Sequence, residues 1–193
     1  MLRKRLLQYI EESKATVSLF QQEKEYAVKH GLLLDARDIS TPESGSRYQD
    51  AYIERCNKET EDLIKNEPVT FLDQPIGYLK EHKNEFIFLE SNWFDVIGVD
   101  AVSLEVDDVF GTYDAMLGLK LQKKYRTHIV QYLEGRLQGE TSYDLLFNGE
   151  DGLWDLNITL NDHPDFHEGL SMLAVYELIY DFLFLLLQTV DEA

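Results

Sequence analysis

Apolar and polar positions along this chain follow two periods, and the periods divide it into elements. Leu6, Ile10, Val17, Phe20 and Ala27 recur at spacings of three, four and seven. That stripe predicts one long amphipathic helix over residues 2–29. Lys29 and His30 suit its negative end, and Gly31 supplies the stop. Residues 35–46 are polar and include Pro42 and Gly45, so they read as a connector. Ser46 and Gln49 have the spacing of a capping box. They open a second predicted helix, to about Lys65, with Tyr48, Tyr52 or Ile53, Cys56 and Leu63 on its inner side. Asp73 and Pro75 start a short third helix that ends near Lys83.

The middle of the chain changes period. Residues 85–90, EFIFLE, are dense in aromatic and β-branched side chains and predict a strand. Val96, Ile97, Val99, Val102, Leu104 and Val106 fit either a strand pair turning at residues 98–100 or buried helical turns; valine enrichment and Gly98 favour the strands. From Thr112 or Asp114 to Leu137 the spacing of Tyr113, Leu117, Leu121, Tyr125, His128 and Tyr132 predicts a helix. Residues 144–161 form a hairpin pattern: Trp154, Leu156, Ile158 and Leu160 alternate after the Gly-rich turn 148–152. Ser171 caps a last helix over residues 172–190 that is apolar on nearly every side. The expected fold is therefore α+β: about four main helices packed with a small antiparallel sheet that includes the hairpin, in a single domain over residues 1–193. Because Leu178, Tyr180, Phe182, Phe184, Leu185 and Leu187 point in several directions, the last helix also suggests a homodimer.

Charge narrows the function. The chain has 36 acidic and 18 basic residues, a net charge of −18. After Arg136 there is no lysine or arginine in 57 residues, which hold 12 carboxylates, and residues 84–119 carry 8 acids and no base. Such segments repel phosphate backbones and anionic bilayers and attract cations or basic partners. We expect no nucleic-acid or membrane partner. The apolar run 178–187 is interrupted by Asp181 and is too short to span a bilayer. The N-terminus begins with basic residues like a signal peptide, but Glu11, Glu12 and Lys14 interrupt any apolar region. The expected compartment is the cytoplasm. Cys56 is the only cysteine, so no internal disulfide or thiolate cluster forms.

Two clusters are candidates for chemistry. Asp162, His163, Asp165 and His167 hold two imidazoles four residues apart among carboxylates, a donor set suited to a divalent metal if a helix starts at Pro164. Asp100, Glu105, Asp107 and Asp108, with Asp95 and Asp114, form an acidic strip suited to magnesium or calcium, or as a solvated face to a basic partner. The strip lacks the order of an EF-hand loop. Asp155 and the turn 148–152 look site-like, but Asn-Gly and Asp-Gly steps are what a tight hairpin demands. The sequence has no phosphate-binding glycine loop, no GxSxG and no HExxH.

Residues 85–125 and 149–161 (GEDGLWDLNITLN) resemble a little-characterised family of small cytosolic proteins from Gram-positive bacteria. Some members carry the label branched-chain amino-acid aminotransferase. A pyridoxal-phosphate transaminase needs a Schiff-base lysine, a phosphate cup and a longer chain, which the residues here do not supply. The resemblance brings no catalytic residues. The expected function is non-enzymatic: an acidic cytosolic binding or regulatory protein, immunity- or inhibitor-like, that engages a basic protein partner and needs no cofactor. The alternative is a divalent-metal-dependent hydrolase built on Asp162, His163, Asp165 and His167.

Overall fold

Along the central strands buried side chains alternate with more exposed ones, broken only at the Val99–Val102 bulge of β6, so one face of the sheet meets the core and the other does not. The computed structural model describes residues 1–13, 16–33, 38–139 and 142–192. In chain order the elements are α1 (Leu2–Glu12), β1 (Thr16–Ser18), α2 (Gln21–Lys29), β2 (Asp38–Ser40), β3 (Tyr52–Asn57), β4 (Leu63–Asn66) and α3 (Tyr78–Glu81). There follow β5 (Glu85–Glu90), α4 (Asn92–Ile97), β6 (Val99–Val106), β7 (Tyr113–Leu119), α5 (Arg126–Arg136), β8 (Tyr143–Asn148), β9 (Leu153–Thr159) and α6 (Met172–Asp191). Seven strands form one antiparallel sheet in the order β4-β3-β5-β6-β7-β9-β8, and β1 and β2 pair in parallel beside it.

The architecture is α+β, as the sequence implies, but the described residues hold six α-helices and a seven-stranded sheet rather than four helices and a small one. Residues 2–29 are not one helix. Ser13 ends α1, its Oγ donating to the Tyr9 carbonyl at 2.8 Å, and Thr16–Ser18 pair with β2 instead. Residues 46–65 are not helical either. The Ser46 hydroxyl donates to the Glu43 carbonyl at 2.7 Å within a 3-10 turn, and β3 and β4 follow. The predicted helix 112–137 is β7 followed by α5. Gly98, at φ +71°, ends α4 in a left-handed cap rather than turning a strand pair. Strand β5, the β8–β9 hairpin and α6 lie where the sequence puts them. Within the connector, Asp35, Ala36 and Arg37 fall outside the described residues; β2 and a 3-10 turn at Ser44–Ser46 occupy much of the rest.

All the larger helices pack on one face of the sheet. There Ile87 and Leu89, Val102, Leu104 and Val106, Tyr113, Ala115 and Leu117, and Trp154, Leu156 and Ile158 join α1, α4, α5 and α6 in one continuous core. Helix α6 is its axis. The Ser171 hydroxyl accepts from the Ala174 amide at 3.2 Å and opens the helix. Tyr48 and Tyr132 donate to the Tyr176 and Phe182 carbonyls at 2.9 and 2.8 Å. By length and composition α6 would cross a bilayer, yet 56% of its most apolar window is buried in the fold, as in a core helix. Tyr180, Phe182, Phe184 and Leu187 are buried within one chain, and Leu178 and Leu185 are half-buried. Most of the apolar surface of α6 that suggested a dimer is therefore covered within the chain, with Leu178 and Leu185 left half-buried. Leu183→Ala is expected to cost about 2–5 kcal/mol, measured by urea unfolding.

Candidate functional site

Strands β5, β6, β7, β9 and β8 are adjacent, and all five come from the two stretches without lysine or arginine. The charge asymmetry of the sequence thus becomes a surface. The second face of these strands holds a trough lined by strand residues alone. Its middle row runs Glu54, Phe88, Ser103, Met116, Asn157, Asp144 across paired positions. On one side of this row Gly118 opposes Asp155, which opposes Leu146; on the other Glu105 opposes Asp114. The result is a shallow apolar trough of about 470 Å³ lined by Phe88, Ala101, Ser103, Met116 and Leu146, with Asp100, Asp144 and Asp155 in its wall. Leu146 is 69% exposed.

A second cleft of about 880 Å³ adjoins the trough through Asp144 and Asn157. It opens between the β6–β7 turn, the C-terminal end of α5 and the β8–β9 hairpin. Asp107, Asp114, Glu134, Asp144 and Asp162 line it, and no basic residue does. Two acceptors, Asp114 Oδ1 and Asn157 Oδ1, are buried here without a hydrogen-bond partner. Burial raises the Asp114 pKa to about 6, and Asp107 and Glu105 add to the rise; Thr159 and Lys58 oppose it. Like charges facing each other across strands, as Glu105 and Asp114 do, destabilise the sheet.

The candidate partner residues divide by role. Asp100 pairs with Lys120 at the end of the sheet. Lys58 lies 3.5 Å from both Glu105 and Asp108 while donating to the Val106 carbonyl at 2.7 Å. Asp107 is a turn residue: its Oδ1 accepts from the Val109 and Phe110 amides at 2.8 and 2.6 Å, which holds its pKa below the usual value. That turn leaves Val109 and Phe110 82% and 80% exposed, and Phe110 lines the cleft.

The metal candidates are not drawn together. Asp162 ends a 3-10 turn and faces the cleft. His163 Nδ1 accepts from the Asp165 amide at 3.2 Å, and its ring meets Phe182 edge-on at 5.3 Å. Burial lowers the His163 pKa, with Asp165 opposing and Arg136 assisting. Asp165 and His167 are exposed. Among the described residues no three His, Cys, Asp or Glu side chains are placed to hold a metal ion. Cys56 lies on β3, not on a helix, and is buried; burial and Glu54 raise its pKa.

Sequence reasoning missed Asp144 as a site residue and assigned Asp155 to turn chemistry alone. The signal was present: Asp144, Leu146 and Asn148 alternate with Tyr143, Leu145 and Phe147, and Asp155 and Asn157 oppose the first set. No family model matches the chain, and no curated protein or solved structure shows significant similarity to it.

The geometry carries a stability prediction. Asp114 holds its proton more tightly folded than unfolded, so its contribution is most favourable below pH 3.8 and is lost as pH rises towards about 6. Asp114→Asn should be more stable than the parent at pH 7 by about 1 kcal/mol, reduced from the full linkage value because the group is partly exposed. It should lose that advantage at pH 4. Urea unfolding across this range measures it, and a constant difference would contradict it.

Proposed function

We propose that this chain is an acidic, cytoplasmic binding or regulatory protein that engages a basic protein partner through the open face of its sheet. An immunity-type or inhibitor role is one form of it. One observation carries the reading: five adjacent strands present an apolar centre and six carboxylates, Glu90, Asp100, Glu105, Asp114, Asp144 and Asp155, with no lysine or arginine on those strands. Such a face repels phosphate and lipid head groups and attracts lysine and arginine. An apolar patch ringed by charge is the usual layout of an interface.

The test is titration of a lysine- and arginine-rich protein or peptide against the parent and two charge-reversed forms. Asp144→Lys with Asp155→Lys alters the face. Glu43→Lys with Asp50→Lys changes net charge equally at exposed positions outside those strands. The face variant should weaken binding at least tenfold and the control no more than about twofold. Equal losses would mean that only net charge matters and would overturn the reading. Affinity should also fall between pH 7 and pH 5 as Asp114 takes up its proton.

A further inference from the structure

We infer that the segment received by the trough is a basic amphipathic α-helix of the partner; this rests on the reading of the face just given. The floor is built from Ala101 and Ser103 on β6 and Met116 and Gly118 on β7, of which only Met116 is long. Phe88 on β5 and Leu146 on β8 stand as its walls. Four strand spacings separate β5 from β8, about 19 Å between strand axes. A helix with its side chains is roughly 10–12 Å across and fits between such walls.

Backbone chemistry selects the helix over an extended segment. A sheet face presents side chains only, because every central strand spends its amides and carbonyls on its neighbours. An extended peptide laid on it would bury its own N–H and C=O groups unpaired. A helix satisfies those groups internally, which is why helices rather than strands cover sheet faces. Extended partners add at sheet edges instead, here β4 and β8. The opposite face of this sheet is already covered in that way by the protein's own helices.

Charge specifies the rest of the occupant. Glu54 lies beside the Phe88 wall, and Asp144 and Asp155 lie beside the Leu146 wall. The complementary helix carries an apolar stripe with lysine or arginine on both flanks. A second copy of this chain is a poor occupant, since its own face would set carboxylates against carboxylates.

Three synthetic 18-residue peptides, two of one leucine–lysine composition and a third that differs from the first by one proline, test this against the full chain. The first has leucines at helical spacing, the second alternates leucine and lysine, and the third is the first with a central proline. Calorimetry gives the affinities, and amide shifts in the unmodified protein locate the site. The helical peptide should bind at least tenfold tighter than the other two, with shifts centred on Phe88, Ser103, Met116 and Asn157. Filling the trough with Ser103→Trp, or with the milder Ser103→Met, should weaken it at least fivefold. Equal binding of the alternating peptide, still weakened by Asp144→Lys with Asp155→Lys, would overturn the helix and leave the basic-partner reading standing. Binding of all three that ignores those substitutions would overturn both.

Discussion

Arg47→Ala is expected to be among the most destabilising single substitutions in this protein, costing about 3–5 kcal/mol in urea unfolding at pH 7. Arg47 Nη1 lies 2.7 Å from Glu23 Oε1, and both side chains are almost wholly buried. The guanidinium sits over the rings of Phe20 and Tyr180 at 4.1 and 3.9 Å, with Trp93 at 5.2 Å. Burial works against its charge, but Tyr180, Glu23 and Tyr48 push its pKa above the ordinary value. Truncation leaves the Glu23 carboxylate in the core without its partner and empties an aromatic cage. The pair joins α2 to the segment before β3 and, through Tyr180, to α6. Replacing both charges, with Glu23→Leu and Arg47→Met, should recover most of the loss, because no unpaired charge remains. A cost below about 1 kcal/mol for Arg47→Ala would show that water reaches Glu23.

Gly98→Ala is expected to cost about 3 kcal/mol, for two separable reasons. The backbone there is left-handed, at φ +71°. A Cβ would also fall on the Arg5 guanidinium, which donates to the Ile97 carbonyl at 3.0 Å and the Lys120 carbonyl at 2.8 Å. Arg5 is flexible and can leave, but only by giving up both hydrogen bonds. A double-mutant cycle divides the terms. With Arg5→Ala already in place, Gly98→Ala should cost only the backbone share, about 1–2 kcal/mol. Additive costs would mean that Arg5 keeps its bonds in the Gly98 variant.

How far the fold was legible depends on which periods coincide. Tyr113, Leu117 and Leu121 are four apart, which suits a helix, but four is also twice two. Tyr113 and Leu117 belong to the same side of a strand, with Ala115 between them and Leu119 after, and Leu121 lies beyond its end. Met116 and Gly118 on the other side are not polar, so the alternation that would have revealed β7 was muted. Strand β9 was legible because its outward residues are Asp155, Asn157 and Thr159. At the N-terminus Val17, Phe20 and Ala27 are buried as the stripe requires, but Val17 reaches the core from a strand. Burial was readable there and the element was not, since pairing of Thr16–Ser18 with β2 depends on residues some twenty positions away. The acidic strip was visible as charge, yet its meaning was hidden until the sheet order set Asp144 and Asp155 on the same face as Glu105 and Asp114.

The single-sided covering of the sheet separates two kinds of information along the same strands. In β7 and β9, and in β6 from Val102 on, every second residue maintains the core, while the residues between them are only partly buried or exposed. On the proposed function, substitutions at Ser103, Met116, Asp155 or Asn157 would alter what the face recognises while leaving Leu104, Leu117, Trp154 and Ile158 packed as before. Under that reading recognition would drift to a new partner at little expense in stability, one alternate position at a time. A scaffold arranged in this way suits a protein whose target changes faster than its fold.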